Sequence, residues 1–247
     1  MVSTHPRAWS SIAKKFVSGL TGAGLVAFLF LHLSGNLTIF LGKEAFNAYS
    51  HGMVTMWHGA FVVLADTGLV LFFGGHIVSG ISVANQRRRS RPVRYEVVGN
   101  AGGPSQKSRA SITMVISGLA LLVFVCYHVA HFKFGPGAEA GYTAQLPSGE
   151  EIRDIHRLVI EEFRKPLIAV SYVIAMLFLG LHLRHGFWSM FQSLGINNPK
   201  LMPLLVGTGW VVAILLATGF LGIPLYILFG LPLPGENPLA LGVGVLA

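Results

Sequence analysis

Histidines inside apolar segments are the residues of this sequence with the clearest capacity for chemistry. The chain has ten histidines, and six of them lie well inside long apolar runs: His32, His76, His128, His131, His182 and His185. An imidazole is costly to place in hydrocarbon, and there it serves as a hydrogen-bonding group, a proton carrier or a metal ligand. A single histidine of this kind is often only a link between helices, so the arrangement of the whole set has to be considered.

The segments that carry these histidines predict an integral membrane protein. Of the 247 residues, 53% are apolar and 11% are charged, which is about half the charged fraction of an ordinary soluble domain. Five windows are apolar and long enough to cross a hydrocarbon layer of about 30 Å as helices; they cover residues 17–41, 57–84, 112–134, 166–190 and 203–229. We expect an all-α protein with five transmembrane helices in one membrane domain over 1–247, and a short interfacial helix over about 149–164, where Ser148 and Glu151 form a capping-box pattern.

Basic residues predict how the chain crosses the membrane. Three precede the first window: Arg7, Lys14 and Lys15. Seven more lie between the second and third windows: Arg87, Arg88, Arg89, Arg91, Arg94, Lys107 and Arg109. The positive-inside rule then predicts a cytoplasmic N-terminus and a C-terminus on the outside. The net charge of +8 is therefore explained mainly by topology, and we expect no nucleic-acid partner.

Four of the histidines fall at two common depths. Counted from the expected cytoplasmic ends of their helices, His32 lies 15 residues deep, His128 lies 16, and His76 and His182 each lie 8. At a rise of about 1.5 Å per residue, the two layers lie roughly 23 Å and roughly 12 Å from the inner edge. Two neutral imidazoles that face each other across a bundle are the ligand set of a six-coordinate, low-spin b-type haem. The single cysteine, Cys126, excludes a covalent CxxCH haem site and a cysteine-ligated iron–sulfur cluster within this chain.

Two further histidines make this assignment ambiguous. His131 follows His128 by three residues, and His185 follows His182 by three, so each pair shares one helix face. The offset is only about 4.5 Å along the helix, and depth therefore favours His128 and His182 weakly.

Several stretches of the sequence carry a resemblance to a known family: "TGAGLVAFLFLHLSGNL", "GKEAFNAYSH", "GGHIVSGI", "FVCYHVAHF" and "LHLRHGFWSMFQSLG". Over essentially residues 15 to 230, the chain resembles the single-chain, five-helix, dihaem cytochrome b membrane anchor of succinate:quinone oxidoreductases. That family includes bacterial succinate dehydrogenases and quinol:fumarate reductases.

The resemblance implies a role for four histidines. It assigns His32 and His128 to the iron of a distal haem, and His76 and His182 to the iron of a proximal haem nearer the cytoplasmic subunits. In the family, the ligand on the fourth helix precedes a loop glycine by thirteen residues, and the step from His182 to Gly195 has that length. The resemblance therefore favours His182 over its neighbour, and it implies that the first four helices form a haem-binding bundle.

The resemblance also implies partners and a location. A flavoprotein subunit with covalent FAD and an iron–sulfur subunit would dock on the cytoplasmic face, so FAD and iron–sulfur clusters belong only to the partners. This chain, with two haem b groups, would exchange electrons between the iron–sulfur subunit and a membrane quinone, either menaquinone or ubiquinone. The expected location is the bacterial inner membrane, in contact with its lipid.

Quinone chemistry requires protons as well as electrons, so we expect a titratable group near the distal haem and the outer face. Asp66 is the only acidic residue clearly inside a predicted span, and His58 lies near the same end of the second helix beside Trp57. Asp66 and His58 are therefore the predicted quinone-site residues, and a structural hydrogen-bonding role for Asp66 is the alternative.

Two other functions compete with the electron relay. A transporter could use the buried histidines as transient metal or proton ligands, but it would require a continuous polar path. A different dihaem membrane cytochrome, such as the anchor of a nitrate reductase or formate dehydrogenase, would have another helix order. The stretches "EAFNAYSH" and "HGFWS" favour the succinate or fumarate anchor.

Overall fold

The structure, a computed structural model, describes residues 10–89 and 109–231 of the chain. Its helices are α1 (Ser11–Leu37), α2 (Lys43–Thr55), α3 (Ala60–Arg89), α4 (Arg109–His128), α5 (Ile155–Phe163), α6 (Pro166–Ser193) and α7 (Met202–Leu228). Two short strands, β1 (Thr143–Gln145) and β2 (Glu151–Arg153), form an antiparallel hairpin between α4 and α5. Part of the basic set used to predict orientation, Arg7, Arg91, Arg94 and Lys107, lies outside the described residues.

The predicted fold class is confirmed at the level of an all-α, multi-pass membrane protein. Within the described ranges, five helical segments are long and apolar enough to cross a membrane. They correspond to the five predicted windows and include α1, α3, α4, α6 and α7. A helix pairs most of its backbone polar groups internally, as a segment that crosses hydrocarbon requires.

The second span differs from its prediction because a separate helix precedes it. Residues 43–55 form α2, which the hydropathy windows did not identify because its polar residues lower its mean hydropathy. Gly42, with φ of 101°, separates α2 from the end of the first span. Trp57 and His58 then turn the chain with φ values of 52° and 55°, a left-handed conformation that is costly for bulky residues. The second span therefore begins at Ala60 rather than at residue 57.

The interfacial helix also begins later than predicted. The sequence predicts a helix over about 149–164, but α5 starts at Ile155. Gly149, with φ of 83°, turns the chain between the two strands of the hairpin. The predicted Ser148 capping box is therefore wrong, and Asp154 caps α5 instead by accepting a hydrogen bond from a backbone N–H of its first turn.

We call α2, the β-hairpin and α5 the cap, because they lie together at the end of the molecule where α1 and α4 end and α3 and α6 begin. Asp154, only 1% exposed, joins its parts: it accepts a 2.9 Å hydrogen bond from Asn47 and forms a 2.7 Å ion pair with Lys43. Burial raises the pKa of Asp154, but the hydrogen bonds from Lys43 and Asn47 outweigh burial and hold it below its usual value. The ionised carboxylate therefore binds the hairpin to α2.

Arg153 connects the cap to the end of α4. The chain follows α4 with a π-helical turn, Val129–Lys133, and the guanidinium of Arg153 donates hydrogen bonds of 3.0 to 3.3 Å to four backbone carbonyls in and after it, those of Phe132, Lys133, Gly135 and Pro136. These carbonyls include some that a helix end leaves without partners. Arg153 thus fixes the position of the turn that carries His131.

The long helices pack in a definite order. α1 contacts α3 on one side and α6 on the other, α4 contacts α6, and α7 packs against α6 and α1. One apolar cluster joins α1, α6 and α7 through residues that include Leu33, Leu179 and Leu216. A second cluster joins the cap to α6 and α7 through residues that include Phe46, Phe163 and Tyr172. Burial of these side chains holds the cap on the helices.

Candidate functional site

One histidine pair lies on the side of the cap, and we call it the cap-side pair. His32 of α1 and His128, the last residue of α4, have ring centres 5.7 Å apart with an angle of 84° between the ring planes. Phe28 stacks on His32 at 5.2 Å, and Phe124 stacks on His128 at 5.7 Å. Each aromatic ring lies one turn before its histidine on the same helix, so it packs on the imidazole and restricts its orientation.

The second pair lies toward the opposite end, and we call it the loop-side pair. His76 of α3 and His182 of α6 have ring centres 6.2 Å apart, with an angle of 69° between their planes. The structure therefore brings together the two pairs that the depth count predicts. In each pair, the imidazoles come from different helices.

Both pairs join helices whose backbones are not packed against each other. Within the described residues, α1 and α4 make at most marginal backbone contact, and the same is true of α3 and α6. The helices that do pack form a row, in which α3 contacts α1, α1 contacts α6, and α6 contacts α4. Each histidine pair therefore joins two helices that are separated by one other helix in this row.

The rings of the loop-side pair are oriented by hydroxyl groups. The Nδ1 atom of His182 lies 3.1 Å from the Ser117 hydroxyl, and that of His76 lies 3.5 Å from the Thr21 hydroxyl. Each hydroxyl donates its own hydrogen to a backbone carbonyl of its helix, which leaves its oxygen to accept from the imidazole. With these hydroxyl hydrogens on the carbonyls, the tautomer protonated at Nδ1 satisfies both contacts and leaves the Nε2 lone pair available to a metal.

The separation of the two pairs can be read along the helices. On α1, Thr21 beside the loop-side pair and His32 of the cap-side pair are eleven residues apart. On α4, Ser117 and His128 are also eleven residues apart. At about 1.5 Å per residue, both helices place the pairs about 16 Å apart along the bundle.

The cap-side pair has a longer chain of hydrogen-bond partners. His128 Nδ1 lies 3.3 Å from the Tyr172 hydroxyl, which lies 3.2 Å from Nδ1 of His131. His131 Nε2 lies 3.0 Å from one carboxylate oxygen of Glu162, and Lys165 donates to the other at 2.7 Å. Burial raises the pKa of Glu162, but the hydrogen bonds from Lys165 and His131 outweigh it and lower that pKa below its usual value. This chain of hydrogen bonds therefore ends on the ionised carboxylate of Glu162.

The two ambiguous histidines have other contacts in the structure. His131 contacts Tyr172 and Glu162, and His185 lies edge-on to Trp188 of its own helix at 4.8 Å. Among the described residues, the histidine pairs formed between different helices are the two described above.

These residues can be tested for their fit to haem. An imidazole–metal bond of about 2 Å on each side of an iron separates the two ring centres by about 6 Å, and the observed separations are 5.7 and 6.2 Å. A Cβ atom at Gly22 or Gly118 would lie 3.4 Å from the His76 or His182 ring, so these glycines let the rings approach α1 and α4. In the part of the chain that the structure describes, no three His, Cys, Asp or Glu side chains form a metal-ion cluster. The separations of the ring centres therefore fit two imidazoles that would hold one haem iron at each pair.

The predicted quinone-site residues lie at the cap end but are not joined to each other. Asp66 forms an ion pair with Lys133, and both side chains are about 40% exposed. His58 is exposed in the left-handed turn before α3. Within the described residues, no hydrogen bond or ion pair links His58 to Asp66. The pairing with Lys133 joins α3 to the π turn after α4, which is the structural role left open for Asp66.

The hydroxyl groups and the carboxylate that contact the histidines were not predicted from the sequence. Ser117 and Tyr172 lie inside predicted spans, close to the depth of the histidines that they contact. A search for polar residues at matched depth on neighbouring helices would have found both. Glu162 gave no such signal, because its contact with His131 depends on how α5 folds back onto the helices.

Comparison with known proteins identifies no relative: no family model, curated protein or solved structure matches the chain. The class that is established is therefore a multi-pass, all-α membrane protein. Its function has to be inferred from the two histidine pairs and their surroundings.

Proposed function

We propose that this chain is the dihaem cytochrome b membrane-anchor subunit of a succinate:quinone oxidoreductase, passing electrons between an iron–sulfur subunit and membrane quinone. The observation that carries the proposal is the pairing of His32 with His128 and of His76 with His182. A resemblance in sequence and a count of depth both lead to these combinations. Haem bound at each pair would supply a one-electron carrier whose iron has no open coordination position.

The residues of this chain would hold each haem by its iron and fix the orientation of the ligands. His32 and His128 would ligate the distal haem, and His76 and His182 the proximal haem. In this assignment Ser117 would accept from Nδ1 of His182, 3.1 Å away, and Nε2 of the same ring would face the metal. α1, α3, α4 and α6 would form the haem-binding bundle, with α7 outside it.

The expected orientation puts the loop-side pair near the partner subunits. Basic residues near the start of α1 and around the loop at 90–108 support a cytoplasmic location for this end. A flavoprotein and an iron–sulfur subunit would dock there, and electrons would then pass about 16 Å between the two pairs along the membrane normal. The proposed location is the bacterial inner membrane, with the cap and the C-terminus outside.

The proposed quinone site is at the cap end, close to the distal haem. Asp66 and Lys133 form a partly exposed ion pair there, and a paired carboxylate can exchange protons with a bound quinone. His58 is exposed at the same end of α3. Asp66 is the stronger of the two assignments, because its ion pair with Lys133 connects it to the π turn that directly follows His128.

Haem content tests this proposal directly. We expect the purified chain to show a reduced-minus-oxidised b-type spectrum, with two haems per chain by pyridine haemochrome quantitation. Electron paramagnetic resonance should show two low-spin ferric signals. A chain that contains no haem when expressed in a haem-replete host would overturn the proposal and favour the transporter.

The physiological reaction requires a second measurement. Co-expressed with its flavoprotein and iron–sulfur partners, the chain should restore succinate-dependent quinone reduction in membranes. Two haems without this activity would instead indicate another dihaem membrane cytochrome.

A further inference from the structure

The two histidine pairs differ in the groups that lie within hydrogen-bond distance of their Nδ1 atoms. In the loop-side pair, the Nδ1 contacts are to the hydroxyls of Thr21 and Ser117, which donate to carbonyls of their own helices. In the cap-side pair, the contact of His128 leads through two more side chains to the carboxylate of Glu162. Among the described residues, only the second arrangement connects a proposed haem ligand to a carboxylate, that of Glu162, which is also ion-paired with Lys165.

The hydrogen-bond roles along this chain are mutually consistent. If Nδ1–H of His128 donates to the Tyr172 oxygen, then the tyrosine O–H can donate to Nδ1 of His131. His131 Nε2–H then donates to Glu162. Tyr172 and His131 each have one donor and one acceptor role, and Nε2 of His128 keeps its lone pair for the metal. No other assignment leaves both His128 Nε2 unprotonated and the Glu162 carboxylate hydrogen-bonded to a neutral His131.

The structure also fixes the members of the chain in place. Tyr172 is 5% exposed, and its ring lies edge-on to Phe124 at 5.0 Å and to Phe163 at 4.9 Å. His131 belongs to the π turn whose carbonyls are held by Arg153. A π turn inside a helical segment often marks a functional site, since it redirects side chains away from the regular helical positions.

We propose that Tyr172, His131 and Glu162 form a positioning chain that orients His128 and transmits the negative charge of Glu162 to it. This inference rests on the proposed function, because it concerns the haem that His128 would ligate. None of the three residues belongs to a ligand pair, so they act on the metal through His128. Through this positioning chain, the reduction potential of the distal haem would depend on the charge of Glu162 in the cap, and that of the proximal haem would not.

The expected effect has a direction. A carboxylate at the end of a hydrogen-bond chain makes the imidazole a more basic ligand. A more basic ligand stabilises ferric over ferrous iron, which lowers the reduction potential of that haem. Interrupting the chain should therefore raise the potential of the distal haem alone.

Tyr172→Phe tests the chain by removing the hydroxyl while keeping the ring in its aromatic cluster. We expect the midpoint potential of one haem to rise and its low-spin resonance signal to shift, with the other haem unchanged. Glu162→Gln keeps the hydrogen bond but removes the charge, so it should raise the same potential by less. Ser117→Ala is the matched control, and it should affect only the other haem.

The outcomes separate this inference from the proposed function. If the wild-type chain holds two haems and both Tyr172→Phe and Glu162→Gln leave their potentials and signals unchanged, the positioning chain is refuted and the proposed function stands. If the wild-type chain holds no haem, the proposed function itself fails. If Tyr172→Phe does not assemble, Glu162→Gln decides, since its side chain lies in the cap and outside the spans.

Discussion

The choice between His182 and His185 as a haem ligand gives the sharpest single test of the site. His182 contacts His76 across the bundle and is oriented by Ser117, whereas His185 lies edge-on to Trp188 of its own helix. We predict that His182→Ala loses the proximal haem and keeps the distal haem. We predict that His185→Ala keeps both.

The expected changes in haem content and in stability follow from the separation of the two pairs and from the side-chain interactions that each substitution removes. Because the pairs are about 16 Å apart, and substitutions more than about 7–10 Å apart act independently, haem content in His182→Ala should fall from two to one per chain. His185→Ala removes one edge-on aromatic contact, worth about 0.5–1.5 kcal/mol, so its stability should fall slightly with haem content unchanged.

The assay is pyridine haemochrome quantitation on chains purified in detergent, with a redox titration to show which haem remains. Size-exclusion chromatography and circular dichroism of both variants control for misfolding. The opposite pattern, with His185→Ala holding one haem and His182→Ala holding two, would refute the assignment. Loss of both haems from a folded His182→Ala chain would refute the independence of the two pairs.

Three further predictions concern the cap end. In the assembled complex, Asp66→Asn should slow quinone turnover at least tenfold with both haems retained, because acid–base groups contribute about 10²–10⁴-fold; unchanged turnover would leave Asp66 only its ion pair. Arg153→Ala should lower the unfolding free energy by about 1–3 kcal/mol in thermal denaturation, since it leaves several carbonyls without a donor; an unchanged midpoint would contradict the capping role. The lowered pKa of Asp154 means that its ionised form adds stability above the ordinary carboxyl pKa of about 3.9, and this contribution is lost as the pH falls through the folded value. Asp154→Asn should therefore reduce the acid sensitivity of the melting temperature, and an identical pH profile would argue against the ion pair with Lys43.

The helical spans were predictable because a bilayer restricts the conformation, composition and length of a segment that crosses it. A spanning segment has to be helical, apolar and about 20 residues long, so hydropathy alone located all five. The helix axis then gives each residue a depth, since every residue advances the chain by about 1.5 Å. That single coordinate was sufficient to place His32 level with His128, and His76 level with His182, before any contact was known.

The cap was not predictable in the same way, because no single direction orders its residues. α2 is too polar to stand out in a hydropathy window, and it is joined to α3 by a turn in which Trp57 and His58 adopt left-handed backbone. The predicted helix start at Ser148 failed because a local capping pattern competed with strand pairing between residues 143–145 and 151–153. Strand pairing within this hairpin overrode the helix-capping preference of Ser148.

The sequence by itself determined that this is a membrane protein with five helical spans, and it placed four histidines at two depths. Only the tertiary structure decided which groups the histidines contact. These are hydroxyl groups for the loop-side pair, and Tyr172, His131 and Glu162 for the cap-side pair. The reason is geometric. Depth follows from counting along one helix, but a contact between side chains also depends on the rotation of each helix about its axis and on which helices are neighbours, and these are set by packing between segments far apart in the chain.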